Sequence, residues 1–542
     1  MGVWYMNQEL SAVRINQEGY VPGLPVAVAV LGASPAVVKD AAGGVVRAVS
    51  FGIPAADSAS GDNVALISLG RLREGSYTLE CGGESRAFTV RCGAWNAVTH
   101  GMIKGLYYQR CGCLAPEYAG VYAHPACHTA PALDWEDRSV SRRVPGGWHD
   151  AGDYGKYVKP GAVTVAHLLW AWKLFPQGCS DDLDIPETGN GIPDILNEAA
   201  FELEWILRMQ REDGAFHHKL TKARFAPFIM PQNDLEQEYQ MPVCWCATGG
   251  ACACLALASR VYRPFDVEFA DRMLASARRA WDWLQAHPDY MPWMNPEGVH
   301  TGWYGGRSDV SDRFWAACEM YAATGAESFR AEAERLCALL PSVTQFGWME
   351  VSGLGALCCL FDLKEKAGDF LYAQLKEKFL RESEVALSFS RASGYGTDLP
   401  PERYTWGSIL SVLSGAMEMI VSTLLTGRED MRDAALLQWH YALGLNALDL
   451  CFVTGFGERR VMHPHHRPSG ADGIDDPVPG LISGGPNKNH CYPHTREVLG
   501  QDTPPAKYFL DETPSADTNE IAIYWNSPAV FVGAFFNMLS RS

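Results

Sequence analysis

Gly147-Trp148-His149-Asp150-Ala151-Gly152-Asp153-Tyr154 is the stretch around which this 542-residue chain is organised. Two aspartates stand three residues apart in a loop softened by Gly146, Gly147 and Gly152. Glycine lets a backbone come close to a ligand and take up dihedrals that other residues resist. Acidic residues are mostly surface groups, and one of this pair could simply cap the helix expected to begin near Tyr157. The flanking glycines, the aromatic neighbours Trp148 and Tyr154, and the chain's other unusual stretches favour a working site.

The length exceeds one ordinary core and points to two or more domains. A hydrophobic fraction of 47% is that of a globular protein. The formal net charge of −18 argues against nucleic acid and anionic membranes, which need basic surface. It is compatible with an uncharged ligand such as a sugar. The 17 Trp and 21 Tyr offer faces that stack on sugar rings, although most serve packing. The 16 cysteines form no small-domain disulfide framework. Cys244, Cys246, Cys252 and Cys254 lie in an apolar helical run and read as buried thiols. That favours a reducing compartment or an anaerobic source. Residues 1–12 lack the basic start and apolar run of a signal peptide. Localisation stays open: secreted if a leader was trimmed, cytoplasmic otherwise. No stretch is expected to be long and apolar enough to span a bilayer, and a monomer is expected.

From residue 13 to 91 the chain reads as β. Short apolar or alternating runs at 26–31, 45–51, 64–69, 77–79 and 86–91 are separated by Gly- and Asp-rich turns. A small immunoglobulin-like β-sandwich is expected over 1–94, bracing a larger domain over 95–542. There the pattern turns helical, at 100–109, 163–174, 192–210, 248–262, 269–286, 311–324, 326–340, 364–381, 406–425, 432–443 and 527–539. Pro193 is expected in the first turn of the third. No strands alternate with these helices, which disfavours doubly wound and (β/α)8 folds. Paired inner and outer helices closed in a ring are expected. A solenoid is the competing layout, but no fixed-period repeat is apparent.

Three further stretches carry chemistry. Cys111, Cys113, Cys127, His128 and His149 gather just before and within the aspartate loop. Cys111, Cys127, His128 and His149 make a Cys2His2 set able to close a tetrahedral zinc site, with Cys113 as a substitute for Cys111. Free thiols beside hydrogen-bonding histidines are the equal alternative. The run Met462-His463-Pro464-His465-His466-Arg467 is too polar for a core and offers donors for hydroxyls and a carboxylate, or is a solvated loop. Asp511 and then Asn519-Glu520 precede the last helix, and Glu520 enters an apolar, aromatic run. A carboxyl in such surroundings keeps its proton longer, as a general acid must. Alone, it would read as a capping or surface glutamate. No Gly-x-Ser-x-Gly, phosphate loop or dinucleotide fingerprint is present. Two carboxyl settings that differ suit glycosidic bond hydrolysis.

Together these stretches resemble glycoside hydrolase family 9, the cellulase family, in its subgroup with an N-terminal immunoglobulin-like domain. The resemblance extends to Thr454-Gly455-Phe456-Gly457 and Pro479-Gly480-Leu481-Ile482-Ser483-Gly484-Gly485-Pro486. It implies a mainly α fold, an (α/α)6 barrel behind the sandwich, and an inverting mechanism. Asp153 would be the general base, Asp150 would help hold the water, and Glu520 would be the acid. His465, Arg467 and Asp511 match the family's substrate-site positions, and Trp303, Tyr304 and Trp406 would be sugar platforms. The subgroup implies structural zinc at Cys111, Cys127, His128 and His149. Calcium is common in the family, and Glu187, Asn190 and Asp194 lie in an oxygen-rich turn that would suit it. Helix capping before Ile195 is the equal alternative. No organic cofactor is implied.

Two departures bear on substrate choice. The family usually has an aromatic four residues before the acid, where this chain has Ala516, and residues 487–506 are rich in Pro, His and charge. The expected activity is an inverting endo-β-1,4-glucanase on cellulose-like or mixed-linkage glucans, polymeric or oligomeric. The alternatives are an exo-acting β-glucosidase or glucosaminidase of the same family, and a non-catalytic glucan-binding protein.

Overall fold

The computed structural model describes residues 10–32, 35–50, 53–179, 181–364 and 368–541. The expected strand over 45–51 and helix over 364–381 each include positions outside these, as does the segment 1–12.

Eight N-terminal strands form two four-stranded sheets. β1 (Val13–Arg14), β2 (Val26–Leu31), β5 (Ala55–Ala56) and β6 (Asn63–Gly70) run in the order β1-β2-β6-β5. β3 (Ala36–Asp40), β4 (Val45–Val49), β7 (Gly75–Cys81) and β8 (Glu84–Val90) run in the order β4-β3-β7-β8. Alternation puts Tyr77, Leu79 and Cys81 of β7 inward, where they join Val26, Val28, Val30 and Leu69 in one core. β3 was not expected. Its charged end, Lys39-Asp40, masks a short apolar start.

Contacts divide the chain into two compact units. One comprises Met1–Gly105, Phe175–Ser180 and Glu384–Ser542; the other comprises Leu106–Leu174 and Asp181–Ser383. Helix α1 (Asn96–Tyr108) runs across that division.

The second unit holds α2 (Val158–Leu174), α3 (Asp194–Arg208), α4 (Trp245–Tyr262), α5 (Val267–Ala286), α6 (Val310–Thr324), α7 (Glu327–Cys337) and α8 (Ser352–Leu357). A π turn, Cys358–Asp362, continues α8. Helices α2, α4 and α6 are buried on nearly every side, whereas α3, α5 and α7 bury one stripe. α2 packs on α3 and α4, α4 on α5 and α6, and α6 on α7 and α8. Each buried helix thus carries a one-sided partner. Pro193 caps α3 rather than occupying its first turn.

A five-stranded sheet in this unit corrects the reading that strands are absent here. Its strands are β9 (Ala132–Asp134), β10 (Ser141–Arg142), β11 (Lys156–Tyr157), β12 (Lys219–Thr221) and β13 (Tyr239–Gln240), ordered β10-β9-β13-β12-β11. Strands of two or three residues leave no periodic signal.

In the first unit, α10 (Ser408–Thr426) packs on α11 (Glu429–Ala442) and α12 (Ile523–Arg541). The sandwich joins them through Asn16, whose amide meets His440 Nδ1 at 2.9 Å, and through Tyr395, whose hydroxyl donates to Asp62 at 2.6 Å. Helix α10 corrects a second expectation, since it is long and apolar enough to cross a membrane. Most of it is buried among protein neighbours, as in a core helix. Helix α9 (Gly368–Ala392) runs eleven residues beyond the expected end at 381. Within this extension Ser383 folds its hydroxyl back onto the Phe379 carbonyl.

Candidate active site

The aspartate loop sits in the second unit, between β10 and β11, and helix α3 clamps it. Glu198 and Glu202 lie one turn apart on α3. Glu198 accepts the Trp148 indole N–H at 2.8 Å, and Glu202 accepts the Trp148 backbone N–H at 2.6 Å. Arg110 neutralises Glu198 and is itself 5% exposed. Burial pushes the Glu202 carboxyl up to about 8. Gly147 takes φ +79°, and a Cβ there would meet the Trp205 ring at 2.5 Å, so the loop lies flat on α3. The Gln109 amide ties the carbonyls of His149 and Ala151, at 3.0 Å each.

Asp150 and Asp153 are both buried, in different settings. Asp150 Oδ2 accepts the Tyr304 hydroxyl at 2.5 Å. Asp153 Oδ2 accepts the Gly155 backbone N–H at 2.9 Å. Tyr304 sits at φ +41°, a conformation few non-glycine residues adopt. Its ring is held edge-on by Tyr157 at 4.6 Å and Trp348 at 4.9 Å. The neighbouring Trp303 is 39% exposed, and its indole N–H donates to the Trp293 carbonyl at 2.9 Å. Lys219, from β12, holds the same segment. Its ammonium donates to the Gly302 carbonyl at 2.7 Å, Asn295 Oδ1 at 2.8 Å and Thr301 Oγ1 at 3.1 Å. Burial lowers this ammonium to about 7, against the pull of the Asp153 charge.

Cys111, Cys127, His128 and His149 meet in the same unit, their ligand atoms all within 4.8 Å of one another. His128 Nε2 faces Asp234 Oδ2 at 3.3 Å, which leaves Nδ1 toward the group. His128 Nδ1 and His149 Nε2 are buried with no hydrogen-bond partner among the described residues. Two orphaned imidazole nitrogens beside two thiols are the donor set of a metal centre. Lys156 donates to Cys111 Sγ at 3.2 Å, and hydrogen bonding from Cys127 holds the Cys111 thiol well below its usual range. Cys113 is exposed and stands outside the group. Glu319, Cys358 and Asp362 also converge, but Arg260 pairs with both carboxylates and Lys173 with Asp362. That cluster is an ion-pair network.

The residues of the suggested calcium turn are engaged with protein donors. Arg110 takes both Glu187 oxygens, at 3.0 and 3.1 Å. Asp194 Oδ2 accepts the Leu183 N–H and the Thr188 hydroxyl, and Asn190 pairs with Asn197.

Glu520 belongs to the first unit, at the end of a short helix, Ala516–Asn519. Its carbonyl accepts the Gly484 N–H at 2.8 Å, and the His465 N–H bonds the preceding Asn519 carbonyl at 2.9 Å. Asp511 braces this corner by accepting the N–H groups of Met462 and His463 and the Asn519 amide, at 2.8 to 2.9 Å. His465 Nδ1 donates to the Thr513 carbonyl at 2.6 Å, which fixes the other ring nitrogen as an acceptor. Burial lowers this imidazole to about 4, which keeps it neutral near pH 7. Arg467 is 6% exposed and opens the helix Arg467–Ala471. Trp406, also in this unit, is 40% exposed.

The sequence profile described as Glycosyl hydrolase family 9 matches residues 95–533. The chain belongs to that family. The Cellulase N-terminal ig-like domain matches residues 8–86. A Cellodextrinase of Butyrivibrio fibrisolvens is 35% identical over 495 residues, 88% of this chain and 90% of its own. Endoglucanase D of Acetivibrio thermocellus is 32% identical over 474 residues, 85% and 73%. A thermostable endoglucanase of Alicyclobacillus acidocaldarius, solved as a single mutant, superposes with TM-score 0.91 at 32% identity, covering 97% of this chain and 100% of that one. A Zn-binding triple mutant of a family 9 endoglucanase superposes with TM-score 0.89 at 30% identity, covering 95% and 99%. The protein is therefore a family 9 glycoside hydrolase, mainly α, with an (α/α)6 barrel behind an immunoglobulin-like sandwich.

Several residues of this family 9 site went unnoticed in the sequence. Tyr304 was expected as a sugar platform, and its hydroxyl also holds Asp150. Lys219, Tyr157 and Trp348 were missed altogether. The run His217-His218-Lys219 could have flagged the first of them, since three polar residues within an apolar β-like segment call for partners.

Proposed function

We propose that the chain is an inverting, endo-acting β-1,4-glucanase on cellulose-like or mixed-linkage glucans. Asp153 takes a proton from water as that water attacks the anomeric carbon. Asp150, held by Tyr304, orients the water, and Glu520 protonates the departing oxygen. His465 and Arg467 bind substrate hydroxyls, Trp303 and Trp406 stack on sugar rings, and Asp511 braces the corner that carries His465 and Glu520. The observation that carries this reading is the buried aspartate pair in two distinct hydrogen-bond settings. Inversion needs room for water, so the Asp153 and Glu520 carboxyls are expected about 6.5–9.5 Å apart. The endo assignment is tested on cellohexaose. An early mixture of cellobiose, cellotriose and cellotetraose supports it, and glucose released alone from one chain end supports an exo-acting β-glucosidase or glucosaminidase. The kinship to a cellodextrinase favours short chains as substrates.

We also propose that Cys111, Cys127, His128 and His149 hold one structural zinc. The ion would tie the aspartate loop to the end of α1 and supply no chemistry to the reaction. Its expected stoichiometry by elemental analysis is one per chain. Cys127→Ser should lose the metal and lower Tm by more than about 5 °C, because structural-site metal binding is folding free energy. Wild type that keeps its Tm after a chelator has stripped the metal would contradict this. Calcium at Glu187, Asn190 and Asp194 has weaker support, since Glu187 serves Arg110 and Asp194 Oδ2 serves the Leu183 N–H and the Thr188 hydroxyl.

A further inference from the structure

Residues 487–506 do not run loose over the first unit. Asp517, three residues before Glu520, is fully buried and spends its polar groups on them. Its Oδ2 accepts the Tyr492 N–H at 3.2 Å, its Oδ1 accepts the Thr495 hydroxyl at 2.7 Å, and its carbonyl accepts the Asn487 amide at 2.9 Å. Tyr492 caps the short helix Pro493–Leu499, and its ring stands edge-on to Trp406, with centroids 5.6 Å apart and planes at 78°. The two rings make a right-angled notch. Tyr492 and Trp406 are 36% and 40% exposed, while Trp95, Trp439 and Trp525 of the same unit are buried.

The notch is tied to Glu520 from both sides. Gly407, next to Trp406, rests on Trp525, and the Ile409 N–H bonds the Gly484 carbonyl at 3.0 Å. Gly484 in turn donates to the Glu520 carbonyl. Burial and the nearby Glu520 charge both raise the Tyr492 phenol above its usual range. Ala516, four residues before Glu520, offers no aromatic side chain at that position.

We propose that Tyr492 is a specificity-determining residue. With Trp406 it forms the notch that receives the glucosyl ring on the leaving side of the scissile bond, and Asp517 holds it there. The ring's apolar C–H face lies on one aromatic plane while the other wall bounds its edge. This rests on Glu520 as the acid, so the test separates the two. Kinetics are compared on cellotetraose, whose leaving group is a sugar, and on β-cellobiosyl fluoride, whose leaving group is neither a sugar nor in need of an acid.

Tyr492→Ala is expected to lower kcat/KM on cellotetraose about tenfold, the loss of one aromatic contact, and to leave the fluoride rate unchanged. Tyr492→Phe should behave as wild type, and Asp517→Asn should follow Tyr492→Ala in direction. Glu520→Gln should lose cellotetraose turnover and keep the fluoride. Equal losses on both substrates for Tyr492→Ala would make Tyr492 a structural residue and overturn the proposal. Unchanged cellotetraose kinetics for Tyr492→Ala, beside the expected split for Glu520→Gln, would overturn it too. Equal losses for Glu520→Gln would instead remove the acid assignment.

Discussion

Replacing Glu520 by glutamine is expected to lower kcat on cellohexaose by about 10²–10⁴-fold, the span of general acid catalysis. The size follows from the leaving group. A glucosyl alkoxide departs slowly unless its oxygen is protonated as the bond breaks, and an amide cannot supply that proton. Binding of cellohexaose should hold nearly constant, because glutamine keeps the volume and the backbone pairing of this corner. The Gly484 N–H still meets the residue 520 carbonyl, and Asp511 still braces Asn519. Isothermal titration of the inactive variant checks this. A variant that has lost binding along with turnover would point to a positional role. A variant that turns over at the wild-type rate would remove Glu520 from the chemistry.

Asp153→Asn is expected to lose a similar factor of about 10²–10⁴, with a different signature. A base acts on the water, so its loss does not depend on the leaving group. Hydrolysis of β-cellobiosyl fluoride should therefore fall along with that of cellohexaose, which Glu520→Gln spares. Asp153→Ala should open space for a small anion. Added azide is then expected to attack from the water's side and yield the α-glycosyl azide, seen by mass spectrometry and proton NMR. The β-azide would mean a covalent intermediate and a retaining route. The choice of Asp153 over Asp150 rests on their partners. Asp150 is committed at 2.5 Å to the Tyr304 hydroxyl, while Asp153 Oδ2 accepts only a backbone N–H among the bonds described above.

Much of this was legible in the sequence, and the reasons differ by residue. The aspartate loop announced itself through its glycines, of which Gly147 is needed where the loop lies against Trp205. The Cys–His cluster was legible as a residue set, although spacing alone left Cys113 as a substitute for Cys111. Only the fold buries one and exposes the other. Most long helices were found to within a few residues, since their apolar stripes repeat over several turns, whereas α9 runs eleven residues past its expected end. The five-stranded sheet beside Asp153 was not found, because two-residue strands carry no period. Tyr304 was singled out for its ring and not for its hydroxyl. Its ring suggested stacking, and nothing local foretold that its hydroxyl would meet a residue 154 positions away. The clamp by Glu198 and Glu202 was equally silent. Charged residues on a helix read as a solvated face until the fold brings Trp148 and Arg110 against them.

The central claim is that one water, placed by Asp150 and Asp153, attacks directly as Glu520 releases the leaving sugar. A proton NMR time course on cellohexaose reads this most directly, because the anomeric protons of new reducing ends are resolved before mutarotation mixes them. Direct displacement at a β-linkage predicts the α-anomer first, with the β-anomer growing in later. The β-anomer appearing first would show two successive displacements and would contradict the account.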